Sequence, residues 1–203
     1  MQRFWDLSSY NFSYRDDFFA TIRGWHNLRA TEESWNRLNL VIAHSTEPYL
    51  WIQNIHQSPF NVGNAIRLDD FDFAQVSELN VRHGAPLKTE DEVRKLMELI
   101  GGQPYLVRQA LYTLVTNKWD MTQLQKVAVE ETGPFADHMR RHMWLLQANQ
   151  DLKSTMQQVL HNGACNEELH FERLKAAGLV QGTTRHAVHM RCQLYERYFS
   201  RRL

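Results

Sequence analysis

A long succession of helical patterns constrains the fold of this chain more than any other feature. From residue 73 onward, large apolar residues recur at spacings of three and four, the spacing of one face of an α-helix. No strand pattern interrupts them before residue 160, so this part is expected to be all-α. The pattern predicts helices over 73–82, 91–100, 104–117, 122–131, 135–148 and 151–160.

Local signals support two of these helix boundaries. Thr89 is followed three residues later by Glu92, which predicts a capping box at the start of the second helix. Pro104 suits the first turn of the next helix, where its missing N–H costs nothing. Gly101 and Gly102 between these two helices predict a tight turn that adopts positive φ.

The first seventy residues have a mixed pattern. Residues 15–29 carry four large apolar side chains on one stripe and predict a helix. The run 38–43 contains the β-branched pair Val41-Ile42 and predicts a buried strand. A second short strand is possible over 65–68.

A polar cluster, His44-Ser45-Thr46, follows the predicted strand. In α/β sheets, ligands bind beyond the carboxyl ends of the strands, so this cluster is a candidate site. The alternative is a strand that simply leaves the core. Ser45 and His44 do not form a catalytic pair, since adjacent side chains on a strand point to opposite faces.

The last forty residues predict a helix, a hairpin and a final helix. A helix over 167–177 ends at Gly178, two short apolar stretches flank a turn at 182–184, and a helix is expected over 192–203. Together with the helix over 151–160, this order is typical of a winged-helix domain.

The sequence lacks the motifs of a nucleotide hydrolase. It has neither a GxxxxGK[ST] loop nor an apolar strand ending in Asp-Glu, and it has no GxSxG. Asp6, Asp16 and Asp17 are interpreted as capping or surface acids. No catalytic residue is therefore assigned.

Two groups of residues contain side chains that can bind metals, but the surrounding sequence does not favour a metal site. His138 and His142 are spaced i, i+4 on one helix face, yet no Glu follows the first His and two arginines lie between them. His186, His189 and Cys192 are spaced by three but fall on different predicted elements. No metal site is predicted.

Composition and charge limit the partners. Lys plus Arg and Asp plus Glu both total 23, so no net field attracts the chain to nucleic acid or anionic lipid. Residues 185–203 carry five arginines against one Glu, which leaves DNA binding as an alternative, but the predicted recognition helix has more acids than bases. Two isolated cysteines and no long apolar run favour a cytoplasmic protein without a membrane segment.

Several long blocks resemble the bacterial AAA-like domain proteins of the STAND class of P-loop NTPases. The blocks follow in the family's order and, with RDDFFATIRGWHN, cover the chain from about residue 15. They are HSTEPYLWIQNIHQSPFNVGNAIRLDDF, LMELIGGQPYLVRQALYTL, FADHMRRHMWLLQ, AAGLVQG and HMRCQLYERYFSRRL.

The resemblance implies an α/β part followed by an all-α part, in three domains. These are a partial P-loop NTPase core over 1–70 with a sensor strand over 38–44, a helical lid over 71–148 and a winged helix over 149–203. It further implies that Ser45 and Thr46 lie at the γ-phosphate and that the GxP motif, Gly102-Gln103-Pro104, faces the nucleotide.

The chain departs from the family because it begins at or beyond the expected Walker B strand and resembles only the family's C-terminal part. We therefore expect no ATPase activity and no cofactor for this chain alone; ATP or ADP with Mg²⁺ is implied only for a complete member. The chain is expected to be a truncated or degenerate AAA-like module that acts as a regulatory or protein-interaction element in signal transduction. The expected partners are another protein or the missing N-terminal half, and an unpaired edge of strand 38–44 would favour self-association.

Overall fold

The computed structural model of the 203-residue chain describes residues 12–43, 58–66 and 68–203. It divides the chain into two compact units between Arg67 and Leu68. The described part is mostly helical and contains one small two-stranded sheet. None of its helices is long and apolar enough to cross a membrane.

The described part of the first unit contains one long helix. The helix predicted over 15–29 is confirmed as α1, Phe12–Leu28. Phe19 and Ile22 are its buried side chains, and the partly buried Ile42 and Phe60 pack against them.

Among the described residues 12–43 and 58–66, two short 3-10 helices accompany α1, at Glu33–Arg37 and Pro59–Asn61. Arg23 of α1 donates hydrogen bonds to the Asn61 side chain (2.9 Å) and the Ser58 carbonyl (3.2 Å). These bonds hold the second 3-10 helix against α1.

The predicted strand over 38–44 is not formed in the part of it that the structure describes. Residues 38–43 have no regular secondary structure, and Val41 is 93% exposed. A strand needs a partner for its backbone groups, and no residue of 12–43 or 58–66 is in a strand. His44 lies outside the described residues.

The possible second strand over 65–68 is likewise not formed where it is described, and Ile66 and Leu68 are exposed. The P-loop-type α/β core expected for residues 1–70 is therefore not confirmed.

The second unit contains a succession of helices around one continuous cluster of buried apolar side chains. All the helices that the apolar spacing predicts are confirmed, although the fourth ends at residue 127 instead of 131. The helices are α2 (Phe73–Arg82), α3 (Glu90–Ile100), α4 (Pro104–Asn117), α5 (Met121–Val127), α6 (Ala136–Gln147), α7 (Gln150–Asn162), α8 (Glu168–Ala176) and α9 (Gln193–Phe199).

The N-terminal ends of several helices in this unit are capped by neighbouring side chains. The capping box of α3 is confirmed, because Thr89 accepts a hydrogen bond from the Glu92 N–H and Glu92 accepts one from the Thr89 N–H. Helices α2 and α5 begin with reciprocal pairs of the same kind, at Asp72 and Asp120. Pro104 lies in the first turn of α4.

The C-terminal elements occur in the predicted order. Helices α7 and α8 are followed by the antiparallel strands β1 (Val180–Thr184) and β2 (Ala187–Met190), and then by α9. Val180 lies opposite Met190 in the register. The boundary predicted between 148 and 149 stays a prediction, since the buried cluster runs through α2 to α9 without interruption.

Candidate functional site

The turn between α3 and α4 places the GxP motif. Gly101 ends α3 with a φ of 65°, and its N–H donates to the Met97 carbonyl (2.7 Å). The buried Gly102 accepts a hydrogen bond from the Phe71 N–H (2.7 Å). A Cβ on Gly102 would lie 1.9 Å from the Phe71 carbonyl oxygen. Only glycine fits there, so the backbone around Phe71 fixes the turn.

Gln103 and Pro104 start the next helix. The Gln103 side chain caps α4 by accepting a hydrogen bond from the Leu106 N–H (2.6 Å). Pro104 and the following Tyr105 are exposed. The motif therefore combines a buried, fixed glycine with a proline and a tyrosine that a ligand could reach.

A cluster of four side chains lies next to this turn and joins α4, α6 and α9. We call Tyr105, His138, His142 and Tyr195 the histidine–tyrosine cluster. The ring of His138 stacks on Tyr105 with centroids 5.3 Å apart. Its Nε2 lies 2.7 Å from the Tyr195 hydroxyl and 3.2 Å from Nε2 of His142.

Burial keeps this cluster neutral. Burial, followed by the positive potential of neighbouring groups including Arg141 and Arg191, lowers the pKa of His138 and of His142 to about 4. Burial likewise raises the pKa of the Tyr195 hydroxyl. At neutral pH both imidazoles are therefore uncharged and the tyrosine is protonated.

A half-buried ion pair ties the segment before α2 to the loop before α9. Asp70 accepts two hydrogen bonds from the Arg191 guanidinium, one of them at 3.2 Å from Nε. Such a bidentate carboxylate–guanidinium contact restrains both chains geometrically. Because Phe71 contacts Gly102, this pair also supports the GxP turn.

The structure brings together only part of the predicted site. Gly102 and Pro104 lie in one turn, whereas Ser45 and Thr46 lie outside the described residues. His186 and His189 are exposed while Cys192 is buried. Across residues 12–43, 58–66 and 68–203, no group of three or more His, Cys, Asp or Glu side chains could hold a metal ion.

Sequence reasoning missed Asp70, Tyr105 and Tyr195. Tyr105 follows the GxP motif directly, which is a local signal that could have been used. Asp70 and Tyr195 join the site through contacts across 121 and 57 residues of chain. No local pattern indicates these contacts.

Comparison with known proteins points to one family. The sequence model of the AAA-like domain matches residues 8–201. An uncharacterized WD repeat-containing protein of Synechocystis sp. is 28% identical over 193 residues, which cover 81% of this chain and 16% of that protein. The chain thus spans about a sixth of that relative's length. No solved structure matches the chain significantly.

Proposed function

The chain belongs to the AAA-like domain family, and on that premise we propose that it is the regulatory part of a STAND-class P-loop NTPase, not catalytic alone. In this proposal residues 71–148 are the helical lid and residues 149–203 a winged helix. The module acts in cytoplasmic signal transduction by contacting protein partners. Hydrolysis would require a phosphate cradle and a magnesium carboxylate, and the sequence has no motif for either.

The GxP turn is the observation that carries the proposal. Gly102 is locked against the Phe71 backbone, and Pro104 is presented at the surface on the first turn of α4. This combination suits a nucleotide lid, because a contact that positions a ligand must itself be held rigidly. Ser45 and Thr46 are proposed as the γ-phosphate contacts of the complete site on the family resemblance alone.

The order of C-terminal elements supports the winged-helix assignment. Two helices, an antiparallel hairpin and a last helix follow one another in α7, α8, β1, β2 and α9. Backbone hydrogen bonds hold the hairpin to the loop between α7 and α8, from the Val188 N–H to the Gly163 carbonyl (2.8 Å) and from the Cys165 N–H to the Arg185 carbonyl (2.7 Å).

Protein contacts fit this module better than DNA contacts. Among the C-terminal arginines, Arg191 pairs with Asp70, Arg202 with Glu131 (2.7 Å) and Arg185 with Glu168 (3.7 Å). Cations engaged in this way contribute less to phosphate binding. The alternative of a winged-helix DNA-binding regulator therefore predicts a salt-dependent duplex affinity that we do not expect to find.

The WD repeats of the Synechocystis relative also support a role in protein interaction. That protein carries WD repeats, and the region similar to this chain is a small share of it. An AAA-like module beside a repeat domain is consistent with control of protein interaction. The partner of the present chain is proposed only as a protein or as the N-terminal half of an AAA-like core.

Reconstitution with that half tests the proposed function. The chain is combined with a Walker A- and Walker B-containing N-terminal half, fused or in trans, and ADP affinity is measured for wild type and Pro104→Ala. We expect weaker ADP binding in the variant at an unchanged fold. Pro86→Ala, at a partly buried proline between α2 and α3 and outside the motif, is the control and should leave ADP affinity unchanged. Equal ADP affinity of Pro104→Ala and wild type would reject the nucleotide role of the motif.

A further inference from the structure

A groove on the second unit has no role in the proposed nucleotide lid. It has a volume of about 470 Å³ and lies between α3, α7, β2 and α9, and we call it the β2 groove. Its rim carries the exposed side chains of Glu98, Gln193 and Glu196. Its floor is apolar and is formed by Val159, Leu160, Val188, Met190 and Cys192. An apolar floor with a polar rim is typical of protein-docking surfaces.

One edge of strand β2 opens onto the β2 groove. The Arg191 N–H donates to the Leu179 carbonyl, on the β1 side (3.0 Å). The Val188 N–H donates to the opposite side, to the Gly163 carbonyl (2.8 Å). In an antiparallel strand the backbone groups of every second residue point to the same side, so those of Met190 point as those of Val188 do. Because Gly163 lines the groove, Met190 presents an N–H and a carbonyl there, and such an edge can pair with an added strand.

The charges around the β2 groove favour a cationic ligand. Glu98 lies in the last turn of α3, and Glu196 lies on α9, which packs against α3. Among the described residues, neither carboxylate forms an ion pair, and no Lys or Arg side chain lines the groove. Helix α7 ends at Asn162, next to Gly163 of the groove, and a helix C-terminus also attracts cations.

We propose that an extended basic segment of a partner protein binds in the β2 groove by adding a strand to the outer edge of β2. Its backbone pairs with the N–H and carbonyl of Met190. Its apolar side chains cover the floor of the groove, and its Lys or Arg side chains reach Glu98 and Glu196. In this mode of recognition, main-chain hydrogen bonds give affinity and alternate side chains give specificity. The inference rests on the proposed protein-interaction role and names the class of partner; it does not depend on the nucleotide lid.

Peptide titration of the 203-residue chain, followed by fluorescence anisotropy, tests the charge of the ligand. The probe is a short fluorescein-labelled peptide in which Val and Lys alternate. We expect saturable binding in the micromolar range, at one peptide per chain, that weakens as salt is added. Binding should be about fivefold weaker in the double variant Glu98→Gln/Glu196→Gln, since each exposed ion pair contributes modestly. The control is Glu130→Gln, because Glu130 is equally exposed but lies outside the groove, and its affinity should equal that of wild type.

N-methylated forms of the same peptide test the pairing with β2. An added strand pairs through one of its edges, so methyl groups on the amides of that edge should abolish binding. Methyl groups on the amides of the opposite edge should leave the affinity unchanged, and an equal effect of both would overturn strand addition. In amide hydrogen exchange of the wild-type chain, the peptide should protect the Met190 N–H and leave the N–H of His186, in the turn of the hairpin, unprotected.

Several outcomes would overturn the proposal. They are no saturable peptide binding up to millimolar concentration, equal affinity for a peptide with Glu in place of Lys, and equal affinity of the double variant and wild type. A dimer in sedimentation that Gln193→Lys dissociates would assign the β2 groove to a second copy of the chain instead, because Gln193 is exposed at its rim. The ADP affinity of the reconstituted protein tests the nucleotide lid separately, so failure of one proposal is distinguishable from failure of the other.

Discussion

The two units of the molecule differ in how their apolar residues are used. In residues 68–203, side chains from every helix and from both strands enter one continuous buried cluster. In the described residues of 12–66, the buried cluster consists of Phe19 and Ile22, and Leu40 and Val41 are exposed at 52% and 93%.

The difference between the units shows which structure forms through local contacts and which structure needs partners distant in the sequence. Helices close their own backbone hydrogen bonds, and the capping boxes at Asp72, Thr89 and Asp120 complete them. An apolar segment such as 38–43 becomes a strand only where another strand lies beside it. The second unit is therefore expected to depend most on core packing and the first unit least.

Truncation of a buried ring should show the contrast most strongly. Phe135 is 0% exposed in the large cluster, so Phe135→Ala should lower the free energy of unfolding by about 3–5 kcal/mol. Phe19, at 7% exposure, packs in the small cluster, and Phe19→Ala should cost about 1–2 kcal/mol. Urea unfolding followed by circular dichroism measures both. An equal cost at the two positions would show that the clusters do not differ as described.

A methyl group added to a glycine should have opposite effects in the two units. Gly102→Ala should destabilise the protein by about 2–4 kcal/mol, because the new Cβ meets the Phe71 carbonyl oxygen at 1.9 Å. Gly24 lies inside α1 with nothing within 4 Å of a new Cβ, so Gly24→Ala should stabilise that helix by about 0.5–1 kcal/mol. Melting midpoints and helical ellipticity report both changes, and a tolerated Gly102→Ala would refute the close approach.

Acid should weaken the second unit through its buried histidines. The pKa of His138 and of His142 is about 4 in the folded state, below the ordinary value of 6.5, so the unfolded chain binds protons first as pH falls. The contribution of these two neutral imidazoles to the free energy of unfolding is unchanged above pH 6.5 and is lost between pH 6.5 and pH 4. Because both rings are partly exposed to solvent, the free energy of unfolding should fall by about 2–4 kcal/mol for the pair.

Unfolding free energies measured from pH 7.5 to pH 4 in EDTA check this pH dependence. The double variant His138→Gln/His142→Gln should have a flatter profile than wild type. Parallel profiles of wild type and double variant would show that these histidines do not cause the acid sensitivity.

Substitution of the exposed Pro104 should have the smallest effect on stability. Pro104 and Pro59 both begin helical turns, but Pro104 is exposed and Pro59 is buried. Pro104→Ala should cost some tenths to about 1 kcal/mol, through the greater freedom of the unfolded chain. Pro59→Ala also removes buried ring contacts and should cost more. Differential scanning calorimetry of both variants measures the two stability losses. A larger loss for Pro104→Ala than for Pro59→Ala would contradict this prediction.

The sequence predicts what is local and misses what depends on tertiary contacts. Helical spacing, the Thr89–Glu92 capping box and Pro104 locate the helices of the second unit within a few residues. The segment 38–43 was wrongly predicted as a strand because its apolar composition says nothing about a neighbouring strand. The histidine pair is visible as a spacing, but its burial and its contact with Tyr195 depend on how α9 packs.

The turn at the GxP motif also combines a feature that the local sequence predicts with one that depends on a tertiary contact. Gly101 and Gly102 predict a turn, and positive φ is found at Gly101. The requirement for glycine at Gly102 comes from Phe71, thirty-one positions earlier, and only the fold reveals it.

Titration of the isolated 203-residue chain with Mg-ATP by calorimetry tests the central claim most directly. The claim is that this AAA-like chain is a lid and winged-helix element without nucleotide binding or catalysis of its own. The account predicts no saturable heat of binding in the micromolar range and no phosphate release. Micromolar, stoichiometric binding of Mg-ATP by the chain alone would contradict it.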